Sequence, residues 1–592
     1  MLFSAQLPPE LVLTILSHLP LQSLHTLRRL SREWLSWFDA NQSYIYQHAA
    51  LKHAFIPSEN TLLKNAVLAS KHLLPDDSAV NEWRTFCQLR FSLEAKWAGI
   101  GHPSWKELSA DHRDVHRIKV DEEIGIVITT HKDGGINVRD IHTDEVLWAL
   151  PRTYVQQYAH CEYEKGFLIW NRGDSKEVWR LASQYESSPS PPDELQQLIS
   201  FTINRYMPTS KGHFKPWAIL NPPESGRAFR FVYPTLLVAN MNMAWLFDVE
   251  RCELVKTISD IQRLVSGSFL GTINYVELSE RYAFVCGSFA FRIFDRSSGA
   301  LVHSITQEDI ASEASRKQGV TFHRHQDPPH GEAVTMLPLD FHLGTGELET
   351  VDELEFVGVH VDSKGTAVVI MLSDSRLLVI SDINRFLEGN KQLGDNGLAM
   401  QINFYCPTHE PLRLPPRGVY LAVEHGKVGV ITNFGIFLIT LDSSLHGLTD
   451  RDIPISGENS IIASPMSHSP TVVPLPLSHI KACRLLPFSG WAPLSAVSCL
   501  QMTARKMLFA WSHHYSSQNP KIILGDSPDS DTIIGYNGDG DRILVNMIDL
   551  QAVFADLEFF DQIEEAEGGS VIMQLLDGAA ETTVSMVDFS PS

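Results

Sequence analysis

Residues 136–148 read Ile136-Asn-Val-Arg-Asp140-Ile-His-Thr-Asp-Glu-Val146-Leu-Trp148, and this stretch decides the fold because its pattern recurs along the chain. An apolar run ends at an aspartate, a polar gap follows and a second apolar run begins, which predicts two strands joined by an aspartate-initiated turn. Clear copies end their first run at Asp248 and Asp295, and weaker copies at Asp382 and Asp442. The 47-residue step from Asp248 to Asp295 is close to the length of one four-stranded blade. The pattern therefore predicts a β-propeller.

Short apolar runs bounded by turn residues continue from about Asp114 onward, which indicates an all-β region. Roughly 480 residues are enough for about seven blades with insertions. Six or eight blades stay open at this point, and an up-and-down barrel or a sandwich is the alternative architecture. Three stretches are predicted to be loops inserted between strands because they are rich in serine, proline or histidine: Ser183 to Glu194, Gln307 to Glu355, and Asp442 to Pro493.

Before residue 110 the apolar residues repeat at helical spacing instead. From Pro8 to Phe38 they predict two or three short helices, the first of which ends at Pro20. Further helices are predicted from about Thr61 to Leu74 and from Val80 to Trp97, before Gly99 breaks the pattern. The predicted fold class is therefore α plus all-β multidomain, with a helical N-terminal part and a large propeller.

The segment Leu7-Pro-Pro-Glu-Leu-Val-Leu-Thr-Ile-Leu-Ser-His-Leu-Pro20, with the stretch from Arg28 to Trp34, resembles the F-box motif. An apolar module of about forty residues buries its leucines poorly by itself, so its helical surface is expected to dock on a partner. The resemblance implies that this partner is a Skp-type adaptor, which links to a cullin scaffold. By position, nine residues would form the adaptor-binding surface and the small core of the module, two sets that the sequence does not separate: Leu7, Pro8, Leu11, Ile15, Leu16, Leu19, Leu27, Leu30 and Trp34. A plain helical cap on the propeller is the alternative.

A second resemblance concerns the next helical region. Trp83, Arg90, Glu94, Trp97 and Gly99 are similar to the linker that joins F-box to propeller in F-box proteins with WD repeats. The Gly-His dipeptide of ordinary WD repeats is absent from the predicted blades, so the propeller is described as degenerate and WD-like. The implied domains are an F-box at 1–48, a helical linker at 49–110, a propeller with insertions at 111–555 and an acidic C-terminal segment at 556–592, whose place in the last blade is left open.

Together these resemblances imply a substrate-recognition subunit of an SCF-type ubiquitin ligase that is not itself an enzyme. The F-box would bind the adaptor, and the propeller would bind a target protein whose identity the sequence does not give. Two alternatives stay open, namely a propeller scaffold without ligase attachment and a propeller hydrolase, because propeller enzymes gather catalytic groups without a local motif.

Composition restricts the partners. The net charge is −22, and residues 1–110 are nearly neutral, so about −23 lies beyond them; nucleic acid is therefore an unexpected partner. The seven cysteines are scattered, which fits neither a disulfide framework nor a thiolate zinc site and favours a reduced protein of the cytoplasm, the nucleus or both. No membrane span is expected, since the most apolar stretch, Val428 to Leu441, reads as two strands and a turn.

Motifs for catalysis or metal binding are weak, and neither a cofactor nor a metal site is predicted. His409-Glu410 is followed by Pro411 where a zinc protease needs a helix. Four histidines, His323, His325, His330 and His342, form the densest cluster, but they fall in a predicted insertion. The segment from Asn537 to Asp541 resembles a calcium loop without its distal glutamate, so a hairpin turn is the preferred interpretation.

Two hypotheses concern the propeller as a whole. A strand at His116 to Val120 is expected to close the ring by pairing with a C-terminal strand such as Ile543 to Ile548. The acidic charge of the propeller is expected to favour basic or neutral target segments over acidic or phosphorylated ones. The alternative for the charge is a solvated surface that keeps the domain soluble.

Overall fold

The structure is a computed structural model. It describes residues 7–74, 80–101, 103–109, 114–185, 193–202, 211–311, 317–321, 334–339, 341–343, 354–389, 393, 399–405, 417–441, 480–486, 488, 494–512, 532–536, 542–546 and 582–590.

The N-terminal part is helical, as predicted. Its described helices are α1 (Pro9–Ser17), α2 (Leu21–Arg28), α3 (Arg32–Ala40), α4 (Gln42–Lys52), α5 (Leu63–Ala69) and α6 (Trp83–Trp97), with a 3-10 turn at Lys71–Leu73. Pro9 occupies the first turn of α1, where its missing N–H costs nothing, and Pro20 directly precedes α2. The Ser31 hydroxyl accepts a hydrogen bond from the Trp34 amide (3.1 Å) and so begins α3. Helix α4 was not specified by the sequence analysis.

These helices share one hydrophobic core. Val12, Leu16 and Leu24 point into it from the first two helices, and Phe38 joins them from α3. Buried side chains of α4 and of the first half of α6, including Phe86, complete the cluster. Residues beyond the forty-residue motif therefore bury its apolar side chains.

The β region begins with β1 (Ser104–Leu108), which follows the glycines after α6. The next strands form four consecutive four-stranded antiparallel sheets. The first two sheets contain β2 (Val115–Asp121), β3 (Ile126–His131), β4 (Ile136–Asp140), β5 (Val146–Leu150), β6 (Cys161–Glu164), β7 (Phe167–Arg172), β8 (Ser175–Leu181) and β9 (Phe214–Leu220), and the next two contain β10 (Ala228–Val232), β11 (Thr235–Ala239), β12 (Ala244–Asp248), β13 (Glu253–Ile258), β14 (Ile273–Leu278), β15 (Tyr282–Gly287), β16 (Ala290–Asp295) and β17 (Leu301–Thr306).

Larger and less regular sheets follow. Their strands are β18 (Lys317–Thr321), β19 (Thr335–Leu339), β20 (Phe341–Leu343), β21 (Phe356–Val361), β22 (Val368–Leu372), β23 (Leu377–Ile380), β24 (Ala399–Tyr405), β25 (Gly418–Glu424), β26 (Lys427–Thr432), β27 (Gly435–Thr440), β28 (Lys481–Leu486), β29 (Leu500–Met502), β30 (Lys506–Ser512), β31 (Thr532–Tyr536), β32 (Arg542–Asn546) and β33 (Thr582–Asp588). Short helices lie between strands: α7 (Glu194–Thr202), a 3-10 turn at Ala182–Gln184, α8 (Gln307–Ala311) and α9 (Ile383–Glu388).

Seven sheets of at least four strands form the described propeller, which confirms the predicted count of about seven blades. Blades 1 to 4 are β2–β5, β6–β9, β10–β13 and β14–β17; blades 5 and 6 are built on β21–β24 and β25–β28; blade 7 contains β29, β30, β33 and β1. The first strands of neighbouring blades touch in order around the ring, and β29 of blade 7 returns to β2 of blade 1. These strands surround the central channel.

The predicted ring closure is wrong in its partners. Among the described strands, β2, which contains His116 to Val120, pairs with β3 alone inside blade 1. The described part of the predicted C-terminal partner lies on β32, which forms a separate hairpin with β31. The ring is closed instead by β1, the strand before β2, and by β33, the strand after β32. These two strands pair antiparallel, from Ser104 opposite Asp588 to Leu108 opposite Val584. The last blade thus contains strands from both ends of the β region.

The aspartate pattern marks the third strand of five blades. The apolar runs that precede the aspartates are the strands β4, β12, β16, β23 and β27. The Asp140 carboxylate accepts hydrogen bonds from the amides of His142 (2.7 Å) and Thr143 (2.9 Å), so it holds the turn to the fourth strand. The stretch from Val428 to Leu441 is the predicted pair of strands with a turn.

Two of the predicted insertions contain more than loop. The stretch from Gln307 to Glu355 includes α8 and the strands β18 and β20, which extend blade 5, and also β19, which extends blade 6. The stretch from Asp442 to Pro493 contains β28, the fourth strand of blade 6. These strands were not predicted because each is only three to six residues long and includes polar residues, as in β18 (Lys317–Thr321).

Candidate functional site

The nine residues predicted for the adaptor surface divide into two groups in the structure. Leu11 and Ile15 are 51% and 46% exposed, whereas Leu16 is 2% exposed in the helical core. Residues four apart share one side of a helix, so Leu11 and Ile15 form an apolar stripe on the outer side of α1, opposite Leu16. The remaining members are exposed (Pro8 and Leu30) or half-buried (Leu7, Leu19, Leu27 and Trp34).

The start of α3 adds a second exposed apolar part. Leu30, just before the helix, is 62% exposed, and Leu35 on the helix is exposed as well. Leu35 lies one residue beyond the F-box motif that the sequence shows, and it was not among the predicted residues. The Trp34 ring contacts the rings of Trp37 and Phe38 with centroids 6.0 Å apart in each case, so Trp34 supports α3 from the partly buried side. We call Pro8, Leu11, Ile15, Leu30 and Leu35 the F-box apolar surface; exposed apolar groups of this kind mark protein interaction sites.

Helix α6 connects this module to the propeller through two different cores. In its first half, Trp83 and Phe86 pack with the N-terminal helices, and in its second half Leu93 and Trp97 pack with blades 6 and 7. The Trp97 ring stacks on Phe589, with centroids 3.8 Å apart, and its Nε1 donates a hydrogen bond to the Ala504 carbonyl (3.2 Å). The helix is therefore anchored at both ends.

Polar contacts fix the same placement. Glu94 on α6 accepts a hydrogen bond from Lys427 Nζ of blade 6 at 2.7 Å, and both side chains are buried. Lys71 forms an ion pair with Glu123 of blade 1 (2.9 Å). Arg505 of blade 7 donates a hydrogen bond to the Leu74 carbonyl (3.0 Å). Glu123 and Arg505 lie on turns between the first and second strands of their blades, and Lys427 is the first residue after such a turn. We call this end of the propeller the linker face.

Charged residues of the first strands form a network in the central channel. Lys119 contacts Glu162 at 2.8 Å, and Arg230 bridges Glu162 (3.0 Å) and Glu277 (2.8 Å). His360 Nδ1 lies 3.0 Å from Glu277. Although burial by itself raises the pKa of Glu162, Lys119 and Arg230 hold that pKa well below its ordinary value. The network joins blades 1 to 5.

His160 and Arg117 complete the network. Arg117 donates from Nε to His160 Nδ1 (3.1 Å) and from Nη1 to the Tyr420 hydroxyl (3.1 Å) of blade 6. His160 Nε2 therefore carries the proton and faces Glu162 at 2.9 Å. Burial lowers the pKa of His160 to about 4. Both ring nitrogens are engaged, so His160 is held in place rather than prepared to activate a nucleophile, and the network is interpreted as structural.

The end of the propeller opposite the linker face, here called the distal face, carries an exposed apolar group. Phe269 and Phe289 are 57% and 53% exposed and line a hollow of about 260 Å³ with Ser268, Gln307 and Glu308. Phe269 lies between blades 3 and 4, and Phe289 on the turn between the second and third strands of blade 4. Leu264, which is also exposed, lies on the same connection between blades 3 and 4 as Phe269. Neither Phe269 nor Phe289 was predicted from the sequence as part of a site.

The weak metal-binding motifs of the sequence were not predicted to be sites, and most of their residues lie outside the described part of the chain. Within that part, no group of three or more His, Cys, Asp or Glu side chains is arranged to hold a metal ion. His323, His325 and His330, and the segment from Asn537 to Asp541, lie outside the described residues. The strands that flank that segment pair as a hairpin, as predicted. No helix in the described part is both long and apolar enough to cross a membrane.

Comparison with known proteins identifies the N-terminal module. Residues 5–46 match the F-box domain family. No curated protein matches the sequence. Similar solved structures include U3-55K (9% identity, TM-score 0.37, covering 69% of this chain and 90% of that chain), the WD40 repeats of RRP9 (9%, 0.36, 69% and 91%) and BamB from Moraxella catarrhalis (9%, 0.31, 67% and 82%).

Proposed function

We propose that this F-box protein with a seven-bladed propeller is the substrate-recognition subunit of an SCF-type ubiquitin ligase. Its F-box binds a Skp-type adaptor and, through it, a cullin scaffold, while its propeller binds the target protein. The observation that supports this proposal best is the F-box apolar surface, where Leu11 and Ile15 stay exposed on α1 although the opposite side of the helix is fully packed. Such a surface suits adaptor binding, because burying two side chains of this size on a partner contributes about 3 kcal/mol or more to the free energy of binding.

The way α6 is held supports a presenting role for the propeller. A ligase must keep its target within reach of the transferred ubiquitin, so a fixed distance between adaptor and target is useful. Helix α6 is packed at both ends and contacts blades 1, 6 and 7 together with its neighbours. The distal face, with Phe269 and Phe289, points away from this attachment and is the part of the propeller we assign to target binding.

Two other functions remain as competitors. A scaffold without ligase attachment would show no adaptor binding, and a hydrolase would turn over small ester, amide or glycoside substrates in a broad screen. The channel network favours neither, because its histidine and carboxylates are occupied by each other. The described buried thiols Cys87, Cys161 and Cys286 are free, which agrees with a reduced compartment, and we propose a cytoplasmic or nuclear location.

The test replaces the exposed side chains. The double substitution Leu11→Glu, Ile15→Glu places two carboxylates where an apolar partner would dock, so co-purification with a Skp-type adaptor should fall at least tenfold. The melting temperature should change little because neither side chain is buried. The matched control is Leu62→Glu, Leu68→Glu, two leucines that are similarly exposed but lie outside the F-box. Unchanged adaptor recovery in the first variant would contradict the proposal.

A further inference from the structure

A second concave site lies on the linker face, at the side of the ring away from α6. It is a groove of about 740 Å³ between blades 3, 4 and 5. Its walls come from the turns after the first strands of blades 4 and 5, the turn after β16, and the outer strands of blade 3. Ser279 of blade 4 approaches Gly365 of blade 5 closely, and Lys256 of blade 3 approaches Gly299 of blade 4, so the three blades meet there.

The groove is basic although the protein is acidic. Four of its side chains are cationic, namely Lys256, Arg281, Arg296 and Lys364, against two carboxylates, Glu280 and Asp295. Within the described residues, none of the four cations has a carboxylate within ion-pair distance. Elsewhere in the described propeller, Arg230 and Arg139 are paired with carboxylates. The separate blades therefore assemble a basic cluster that no stretch of sequence contains.

The nearby groups leave this positive charge available. Arg296 Nη1 donates to the carbonyls of Ser279 (2.5 Å) and Glu280 (3.2 Å), and Nη2 donates to the Thr235 hydroxyl (2.5 Å), so the guanidinium is held without being neutralised. The Asp295 carboxylate already accepts hydrogen bonds from Ser297 and Ser298 of its own turn. These bonds lower the pKa of Asp295 to about 2. Asp295 is thus held by its own turn but keeps its negative charge, so the groove carries four cations against two carboxylates.

The apolar part of the lining indicates the size of the ligand. Leu246, Val255 and Tyr282 contribute carbon surface beside the cations. A groove of this volume takes several residues of an extended chain, and a free inorganic anion would leave most of it unfilled. We propose that the groove binds a partner protein through a short acidic segment whose carboxylates meet Lys256, Arg281 and Lys364 and whose apolar side chains cover Val255 and Tyr282.

This proposal goes beyond the ligase role and does not depend on adaptor binding. It also qualifies the expectation from net charge that the propeller favours basic segments. Electrostatic influence extends only about 8 Å at physiological salt, so the four nearby cations outweigh carboxylates on distant blades. The groove lies on the linker face, so an acidic segment could bind there while a target occupies the distal face.

The experiment measures fluorescence anisotropy of labelled twelve-residue peptides added to the full chain. The probes are a peptide of alternating glutamate and leucine, a phosphoserine peptide of equal charge, and a lysine-leucine peptide. The test variant is Lys256→Glu, Lys364→Glu. The matched control is Arg152→Glu, Arg263→Glu, which changes the net charge equally at two exposed arginines of the distal face.

The acidic peptide should bind the wild-type chain, its Kd should rise at least tenfold in the groove variant, and it should change less than twofold in the control. Raising salt from 50 to 300 mM should weaken the binding of the wild type. An equal loss in both variants would show a nonspecific charge effect and overturn the proposal. Binding of the phosphoserine peptide alone would also overturn it, in favour of a phosphorylated ligand. If the groove variant melts early, Lys256→Gln, Lys364→Gln provides the same comparison.

Discussion

A single side chain, Glu94, couples the helical linker to the propeller. Its carboxylate lies 2.7 Å from Lys427 Nζ and 3.6 Å from Arg90 Nη2, and the side chains of Glu94 and Lys427 are only 6% and 5% exposed. A buried ion pair adds little stability over an apolar pair, since each charge loses its hydration. Removing one partner is different, because the other charge is then buried alone.

The first prediction at this scale is that Glu94→Ala destabilises the protein by about 3 to 5 kcal/mol, because Lys427 is left buried without its carboxylate. Urea denaturation measures the change. The double variant Glu94→Met, Lys427→Met should recover most of the loss, since it also removes the stranded lysine, while Arg90 keeps its hydrogen bond to Ser70 Oγ. A double variant as unstable as the single one would show that the ion pair itself, rather than the stranded lysine, matters.

Contacts between residues far apart in the chain could not be predicted from the sequence. Glu94 and Trp97 were recognised as linker residues, but Lys427 is more than three hundred positions away and nothing local pairs it with Glu94. Leu11 and Leu16 look alike in the F-box motif, yet only the packing of α4 and α6 around α1 decides that Leu16 is buried and Leu11 exposed. The sequence identified the motif, and the tertiary contacts assign each leucine its role.

Among the elements, β1 shows why ring closure was misplaced. Its five residues, Ser104 to Leu108, include three polar side chains, so it gives no apolar run that would distinguish it from the linker. Its partner β33 lies within the acidic C-terminal segment. By contrast, the third strands were readily predicted, because each carries its own evidence: an apolar run and an aspartate that begins the next turn, as at Asp140 and Asp295.

The prediction at this scale concerns Leu108, the one fully buried side chain of β1. It packs with Val584 and Met586 of β33 and with Ile118 of blade 1, at the junction that closes the ring. Leu108→Ala should therefore lower the free energy of unfolding by about 2 to 5 kcal/mol. Ser104→Ala, at the exposed end of the same strand, should change it by less than about 0.5 kcal/mol. Equal stability of the two variants would argue against closure by β1.

For the whole molecule, the charged channel is a shared structural feature. It contains one residue from each of five successive blades, namely Arg117, Glu162, Arg230, Glu277 and His360. Glu162, Arg230, Glu277 and His360 contact one another in that order, and Arg117 reaches Glu162 through His160. In the sequence these residues alternate along their strands and resemble solvent-facing positions, because a strand that faces a narrow channel has the same pattern as one that faces water. Only the assembled ring brings their charges together.

Histidine burial also acts at the scale of the whole molecule. Burial is the largest cause of a lowered pKa in each of six described histidines: His72, His116, His160, His213, His360 and His425. Three described carboxyls act in the opposite sense, since burial raises the pKa of Glu164 and of Glu177 and raises that of Glu424 to about 7. A lowered histidine pKa means that the unfolded chain binds protons that the folded chain does not, so folding is favoured as the pH rises through this range.

The last prediction follows from that sign. Between about pH 6.5, the ordinary histidine value, and pH 4, the folded value of His160 and His425, stability should fall as the pH falls, by about 1.4 kcal/mol per pH unit for each proton taken up on unfolding. Glu164, Glu177 and Glu424 each reduce this slope by at most one proton. The measurement is urea denaturation at half-unit steps from pH 5 to 8. His160→Gln should flatten the profile by up to one proton below pH 6.5. A wild-type stability that is constant or rises on acidification over this range would contradict the neutral, buried state of these histidines.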